Sequence, residues 1–356
     1  MVRTAVGATA LACLLFACST DANDPAPSNQ PANPLSNALS SPAALTPSDA
    51  TLERSNHSTL TQSASPDTAQ DTEPVTARDA SPVTFDSSRA YEHLRRQVGF
   101  GPRPAGSAAL ARCREYILAE LKAAGVETRE DAFDATTPLG PVRMVNVVAT
   151  IPGRRAERIA LATHYDTKLF REFRFVGASD AASSTAAVLE LARVLSARQN
   201  EFTIELLFFD GEEAVVDWYR NNDNTYGSRR YVEIARETGT LADLRALVLL
   251  DMIGDRNLNI RRDSNSTPWL TDTVWASAAT LGYEANFLSE ETTIDDDHIP
   301  FVRAGIPSVD IIDLDYPAWH TAQDDLDQVS ARSLQVVGEV VLDALPQIER
   351  RLSAAR

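Results

Sequence analysis

Short runs that are apolar on both faces alternate along the chain with segments of helical periodicity. The runs from Phe202 to Phe209 and from Ala246 to Leu250 are too short for core helices and carry apolar residues on both faces, unlike a half-exposed strand. Strands buried on both faces are typical of parallel sheets covered by helices. Residues 144–151, 158–163 and 308–312 add three strand-like runs. The chain is therefore predicted to form an α/β domain with a mixed, mostly parallel central sheet and helices on both faces.

Segments with apolar residues at helical spacing lie between and around these strands. They are residues 87–98, residues 107–125, the stretch after Asp180, the stretch around Tyr231, residues 270–281 and residues 330–352. In sheets built this way, ligands bind outside the carboxyl ends of the strands. Side chains that follow the predicted strands are therefore the first candidates for a functional site.

The N-terminal part of the chain differs in composition from the rest. Residues 1–17 carry Arg3 and an apolar core from Val6 to Phe16, which is too short for a membrane span and is typical of a secretory signal. The core ends in Leu15-Phe16-Ala17-Cys18, which resembles the lipobox of bacterial lipoproteins and implies cleavage before Cys18 and lipid attachment to its thiol. A plain signal peptide with an incidental cysteine is the alternative. We expect a lipid-anchored envelope protein, periplasmic or outer-membrane associated if the cell has two membranes.

Residues 18–81 are rich in Ser, Thr, Pro, Ala, Asn and Asp, so they are predicted to be a disordered tether before a catalytic domain at residues 82–356. Only Cys113 of the three cysteines belongs to that domain, which excludes a disulfide within it. The net charge of −17 argues against a nucleic-acid-binding or anionic-membrane-binding surface. We expect a monomer whose only contact with a membrane is its lipid anchor.

Acidic residues and histidines follow the predicted strands. His164 follows the strand at residues 158–163, and Asp251 follows the strand that ends at Leu250. Zinc in catalytic sites takes histidine nitrogen and carboxylate oxygen and keeps one position open. Asp180, Glu213 and His320 could supply three such ligands and leave the fourth position for substrate or water.

The adjacent pair Glu212 and Glu213 follows the apolar run from Phe202 to Phe209 and the turn residue Gly211. A lone pair of glutamates is most often part of a solvated loop, but a position directly after a buried strand favours a site. One carboxylate can then bind metal while its neighbour faces substrate as an acid or base. Asp166 could orient the imidazole of His164 by a hydrogen bond without binding the metal itself.

Several motifs resemble the co-catalytic zinc aminopeptidase superfamily and, within it, the animal-type glutaminyl-peptide cyclotransferases. The motifs are Gly101-Pro102-Arg103, His164-Tyr165-Asp166, Gly177-Ala178-Ser179-Asp180, Asp210-Gly211-Glu212-Glu213-Ala214 with Trp218, Tyr226-Gly227-Ser228-Arg229, Leu250-Asp251-Met252-Ile253-Gly254, Asp296-Asp297-His298-Ile299-Pro300-Phe301 and Trp319-His320-Thr321. The resemblance covers about residues 85–356 and implies a zinc aminopeptidase-like form of the predicted fold.

The resemblance implies one zinc ion per chain, held by Asp180, Glu213 and His320. His164 and Asp251 match the ligands of a second metal in the aminopeptidases, a site that the cyclotransferases leave empty. A dizinc aminopeptidase that hydrolyses N-terminal residues is therefore the alternative function.

The implied reaction converts the N-terminal glutamine of a peptide or protein to pyroglutamate and releases ammonia. Glu212 would be its general acid and base, with Asp251 and Asp296 as the polar pair around the reacting groups. The side chains implied to line the substrate pocket are Trp218, Ile294, Tyr316 and Trp319. The chain departs from the family at Asp310, where a histidine is common, and at Thr163, where animal members have a cysteine.

Overall fold

The computed structural model describes residues 83–354. Its strands are β1 (Glu127–Thr137), β2 (Gly140–Ile151), β3 (Arg155–His164), β4 (Phe202–Phe209), β5 (Leu244–Asp251), β6 (Ile260–Asp263), β7 (Phe287–Thr292) and β8 (Ser308–Ile312). Its α-helices are α1 (Ser87–Gly99), α2 (Ala108–Ala123), α3 (Ala182–Ser196), α4 (Tyr226–Glu237), α5 (Pro268–Thr280), α6 (Ile299–Arg303) and α7 (Ala331–Ala354). The predicted signal segment, Cys18 and the tether to residue 81 lie outside the described residues.

The central sheet has six strands in the order β1-β2-β4-β3-β5-β8. β3 pairs in parallel with β4 and β5, and β5 pairs in parallel with β8. β1 and β2 form an antiparallel hairpin, which joins the sheet through antiparallel pairing of β2 with β4. The predicted mixed, mostly parallel sheet is confirmed. β6 and β7 form a separate parallel pair.

Helices cover both faces, as predicted, because the strand side chains alternate between two cores. Leu206 and Phe208 of β4 belong to a large core with residues of α1, α2, α3, α5 and α7. Leu207 and Phe209 of the same strand belong to a smaller core with residues of α4 and α6. This alternation is the period of two expected of an extended strand, and it explains why four consecutive residues, from Leu206 to Phe209, are apolar.

Two smaller points bear on the predictions. Cys113 is a buried free cysteine, which agrees with a domain without an internal disulfide. Among residues 83–354, no helix combines the length and the apolar character that a membrane span requires.

Candidate metal centre and substrate pocket

Three neighbouring parallel strands bring the predicted site residues to one edge of the sheet. β3 ends at His164, β5 ends at Asp251, and β4 leads directly into Glu212 and Glu213. His164 stands opposite Phe209, the last residue of β4, in the strand register. The carboxyl ends of these strands therefore open on the same side, where ligands bind in sheets of this kind.

A tight turn before α3 places Asp180 at the same edge. The buried guanidinium of Arg103 donates to four backbone carbonyls, including that of Gly177 at 3.2 Å. On the other side, the buried carboxylate of Asp324 accepts from the backbone N–H groups of Ser179 at 2.8 Å and Asp180 at 3.2 Å. The turn is thus held from both sides by buried charged groups that donate to or accept from its backbone.

Gly177 is expected to be indispensable to this turn. Its φ is +54°, and a Cβ at this position would lie 1.7 Å from the carbonyl oxygen of Asp180. Gly177→Ala should therefore lower the free energy of unfolding by about 3 kcal/mol, combining left-handed backbone strain with steric overlap. Gly125 is the matched control, since it has φ +72° but a Cβ there would meet no atom within 4 Å. Urea denaturation of both alanine variants should show the larger loss at Gly177, and equal losses would contradict the steric argument.

The first candidate metal group consists of Asp180, Glu213 and His320, which can each present one ligand atom within 4.8 Å of the others. Nε2 of His320 lies 3.4 Å from Asp180 Oδ2 and 3.3 Å from Glu213 Oε1. Burial alone would lower the pKa of His320, but the two carboxylates outweigh it and raise that pKa to about 10. Two buried carboxylates around one imidazole favour a positive charge at their centre. This donor set fits zinc.

The second candidate group shares Asp180 and adds His164 and Asp251. Nε2 of His164 lies 3.1 Å from Asp251 Oδ1 and 3.3 Å from Asp180 Oδ1. Burial opposes protonation of His164, yet Asp251 and Glu212 raise its pKa well above the usual value. Asp166 Oδ1 lies 3.5 Å from Nδ1 of His164, on the side away from this group. The donor set therefore also fits a metal ion, and it shares Asp180 with the first group.

Two carboxyl groups beside the candidate metal groups have raised pKa values. Burial raises the pKa of Glu212 well above its usual range; His164 opposes this shift, and Asp296 adds to it. Burial and the neighbouring Asp251 raise the pKa of Asp296 to about 7. The backbone N–H of Glu212 donates to Asp166 Oδ1 at 3.2 Å, which fixes the start of the loop after β4. Carboxyl groups with raised pKa values in a cleft are suited to general acid and base chemistry.

A cavity of about 520 Å³ opens over the two groups. Most of the predicted site residues line it, namely Asp180, Glu212, Glu213, Trp218, Asp251, Ile294, Asp296, Trp319 and His320. His164 is fully buried beneath them. The ring of Trp319 stacks on that of His320, with centroids 4.4 Å apart.

Tyr316 does not line this cavity, in contrast to the implied substrate contact. It is buried, and its hydroxyl donates to Asp324 Oδ1 at 2.7 Å. Because Asp324 also accepts from the backbone of the turn that carries Asp180, the hydrogen bond from Tyr316 helps to hold that turn in place. The resemblance implied a pocket wall, but the apolar ring also suits the small core that it shares with Met252 and Ile312.

Several residues of the site carry no clear signal in the sequence. The backbone N–H of Lys168 donates to Glu213 Oε1 at 3.1 Å, and its Nζ lies 3.4 Å from Glu213 Oε2. Arg103 stands out only as part of a motif. Asp324, which follows His320 by four residues, gives no signal of its own. A search for charged residues close to the recognised motifs would have found Lys168 and Asp324.

Asp310 lies in a buried group next to the site. It is fully buried on β8 and does not line the cavity. Nδ1 of His298 lies 3.7 Å from Asp310 Oδ2, and Nε2 of His298 lies 3.1 Å from Asp263 Oδ2. Asp310, where the resemblance implied a histidine, thus faces the imidazole of His298, the residue before α6.

The chain is similar to proteins of known class over most of its described length. A family model described as peptidase family M28 matches residues 146–345. A glutaminyl-peptide cyclotransferase-like protein from Mus musculus is 33% identical over 254 residues, which cover 62% of this chain and 66% of the mouse protein, just under two thirds of its length. A glutaminyl-peptide cyclotransferase from Boiga irregularis is 31% identical over 284 residues, covering 67% of this chain and 75% of the snake protein.

Solved structures give the same picture. An Acidobacteriales bacterium glutaminyl cyclase superposes with a TM-score of 0.73 at 38% identity, covering 78% of this chain and 100% of the other. A structure described as a leucine aminopeptidase precursor from Bacteroides thetaiotaomicron superposes with a TM-score of 0.69 at 29% identity, covering 74% of this chain and 97% of the other. The fold is therefore shared by chains named for cyclisation and for hydrolysis.

Proposed function

The chain belongs to peptidase family M28, and on that premise we propose that it is a glutaminyl-peptide cyclotransferase. It would convert the N-terminal glutamine of peptides and proteins to pyroglutamate and release ammonia. The observation that carries the proposal is the position of Glu212, a buried carboxyl group beside a candidate metal group in a cavity walled by Trp218 and Trp319. The similarity to chains named glutaminyl cyclases supports it.

One zinc ion per chain would be held by Asp180, Glu213 and His320, whose donor atoms fit that ion. Bound there, zinc would act as a Lewis acid toward the γ-carboxamide oxygen of the glutamine. The backbone of His320 has a φ of 54°, which is uncommon for a residue with a side chain. Such a conformation persists only where the surrounding structure imposes it, and this suits a side chain that must point at one place.

Glu212 would carry the proton through the reaction. It takes a proton from the α-ammonium group, so that the α-nitrogen can attack the side-chain carbonyl carbon. A new bond forms between these two atoms, the attacking nitrogen gives up a second proton, and the bond from that carbon to the amide nitrogen breaks. Glu212 passes both protons in turn to the leaving nitrogen, which departs as ammonium. Attack within one molecule needs mainly the correct geometry, which Asp251 and Asp296 would supply by holding the α-amino group.

The aromatic walls would separate cyclisation from hydrolysis. Water that reached the same carbonyl carbon would convert glutamine to glutamate instead of pyroglutamate. Trp218, Ile294 and Trp319 surround the cavity with apolar surface, which would exclude water from the reacting atoms. Attack by the peptide's own amine requires no bound water nucleophile.

A second candidate function is supported by the group of His164, Asp180 and Asp251. If this group also held a metal ion, Glu212 would lie beside a two-metal centre, and such centres activate water for hydrolysis in aminopeptidases. The chain would then remove N-terminal residues from peptides.

The two functions predict different products and different metal contents. We expect the purified protein to release ammonia from a peptide with N-terminal glutamine, with no free amino acid, and to contain about one zinc ion per chain. Ammonia can be followed with a coupled assay, free glutamine by amino-acid analysis and zinc by plasma emission. Release of free glutamine by a protein with two zinc ions per chain would replace the cyclotransferase with the aminopeptidase.

We also propose that the protein is monomeric and is anchored to the cell envelope by a lipid on Cys18. The signal-like composition of residues 1–17 and the lipobox-like Leu15-Phe16-Ala17-Cys18 support the anchor. Incorporation of labelled fatty acid should occur in the full chain and not in Cys18→Ser, and equal labelling of both would reject the anchor. Light scattering of residues 82–356 checks the monomer.

A further inference from the structure

Two surface grooves continue from the substrate cavity. The first, of about 250 Å³, shares Trp218, Tyr219 and Asp295 with the cavity wall. The second, of about 700 Å³, shares Arg229, Pro300 and Arg303 with the first. Because each space adjoins the next through common wall residues, they form a path from the metal-binding edge along α4 and α6 to the edge strand β1. We call these two grooves together the exit path.

The charge of the lining changes along this path. Carboxylates dominate around the metal-binding groups, and Asp295 extends that acidic character to the first groove. Four arginines line the second groove, namely Arg229, Arg230, Arg236 and Arg303, together with Asp134, Glu233 and Glu237. A cluster of guanidinium groups stands out in a chain with 50 acidic and 33 basic residues.

The arginines of the exit path are not equally engaged. Nε of Arg230 lies 3.5 Å from Asp131 Oδ2, and one Nη2 bond of Arg229 reaches the carbonyl of Asn224 at 2.6 Å. Arg303 is exposed at the end of α6, and within residues 83–354 its side chain has no hydrogen bond or ion pair. It lines both grooves. Its guanidinium is therefore free to pair with an incoming carboxylate, and such pairs can form two parallel hydrogen bonds.

An exposed aromatic ring marks the start of the path. The side chain of Tyr219 is 90% exposed and lies where the cavity meets the first groove. A large ring this accessible gives a passing peptide apolar contact at low entropic cost. A peptide with its first residue in the cavity must leave along the surface, and the exit path adjoins the cavity at this ring.

We propose that the exit path binds the part of the substrate that follows the N-terminal glutamine and that Arg303 pairs with an aspartate or glutamate in it. The inference rests on the proposed function, which places the glutamine in the cavity. It defines a substrate class, namely peptides with an acidic residue several positions after the glutamine. An acidic residue directly after the glutamine is disfavoured, because it would lie near Asp295 and the carboxylates of the cavity.

A peptide series measures this preference. The parent is Gln-Phe-Ala-Ala-Ala-Ala-amide, and each alanine is replaced in turn by glutamate or by its neutral isostere, glutamine. We expect kcat/KM to rise about three- to fivefold for glutamate over glutamine at one or two of these positions, the size of an exposed ion pair. The preference should fall toward one in 0.5 M NaCl, where charges are screened within about 4 Å. Equal values at every position in low salt would overturn the inference.

Charge reversal tests the assignment to one residue. Arg303→Ala should reduce kcat/KM for the best glutamate peptide more than for its glutamine isostere, and Arg303→Glu should reverse the preference toward lysine at the same position. Arg112 is the matched control, since it is also exposed but lies on α2 and lines neither groove. Arg112→Ala should retain the wild-type ratio. A glutamate preference that survives Arg303→Glu would reject Arg303 as its source.

The outcome for this inference is separate from that for the proposed function. Ammonia release from the neutral parent peptide tests cyclisation, whereas the glutamate-to-glutamine ratio tests only the exit path. The same ratio can be measured as binding, by fluorescence anisotropy of the labelled peptides, and does not then depend on turnover. A protein that prefers glutamate in binding but releases no ammonia would keep the inference and reject the cyclotransferase.

Discussion

Glu212→Gln is expected to lower kcat for ammonia release by about a thousandfold, within the range expected for loss of a general acid and base. Glutamine has nearly the same shape as glutamate but can neither accept the proton of the α-ammonium group nor return it to ammonia. The side chain of Glu212 is buried, and the isosteric glutamine would occupy the same space. Because Glu212 belongs to neither candidate metal group, zinc content should stay at about one per chain.

Steady-state kinetics with a glutaminyl peptide, together with zinc analysis of the same preparation, measures both parts of this prediction. Glu115→Gln is the matched control, since Glu115 is exposed on α2 and the change removes the same charge far from the cavity. It should leave kcat within about twofold, because substitutions of exposed residues outside a functional site or core usually have small effects. Full activity in Glu212→Gln would remove this residue from the mechanism, and loss of zinc would make it a ligand.

The fold was predictable where the hydrophobic pattern was unambiguous. β4 and β5 are buried on both faces, so their apolar runs identified central strands, and the acidic residues after them indicated the functional edge. β1 was missed because it is an edge strand whose residues from Glu127 to Asp134 are mostly exposed or half-buried and include four acidic side chains among eight. Such a segment carries little hydrophobic signal, and edge strands are often charged in this way.

The sequence indicated the candidate metal ligands more clearly than the residues that hold them in place. Metal-binding side chains are restricted in type and follow strands, so Glu213 and Asp251 could be identified from chemistry and position. Supporting residues act through backbone contacts that only the folded chain creates. Arg103 donates to carbonyls up to 74 residues away in sequence, and Asp324 accepts from N–H groups up to 145 residues away. Contacts between residues so far apart in sequence leave no trace in the local hydrophobic pattern.

Tyr316 was predicted to line the pocket but lies in a small core instead. Its position near His320 and its aromatic ring were compatible with both a pocket wall and a core residue, and composition cannot distinguish the two. The deciding contact is the hydrogen bond from its hydroxyl to Asp324. A buried tyrosine generally needs such a partner. Here the partner, Asp324, also binds the turn before α3, and local sequence does not indicate that contact.

His320→Ala is expected to abolish both zinc binding and turnover. It removes the only nitrogen ligand of the first group and leaves Asp180 and Glu213 as two buried carboxylates with no imidazole between them. Loss of a supporting residue alone typically costs 10- to about 100-fold in metal affinity, so loss of a ligand should cost at least about a hundredfold. Competition with a chromogenic chelator measures the affinity, and ammonia release measures the activity.

Two other histidines make this prediction specific. His93→Ala is the control for loss of a histidine as such, because His93 lies on α1 and contacts the Tyr116 hydroxyl at 2.6 Å, outside the cavity. It should retain zinc. His164→Ala separates the two candidate functions, since His164 belongs only to the second group. With a single zinc in the first group, His164→Ala keeps its metal while His320→Ala loses it; with two zinc ions bridged by Asp180, each variant loses one. Unchanged zinc affinity in His320→Ala would remove the first group as the metal site and leave the proposed mechanism without its Lewis acid.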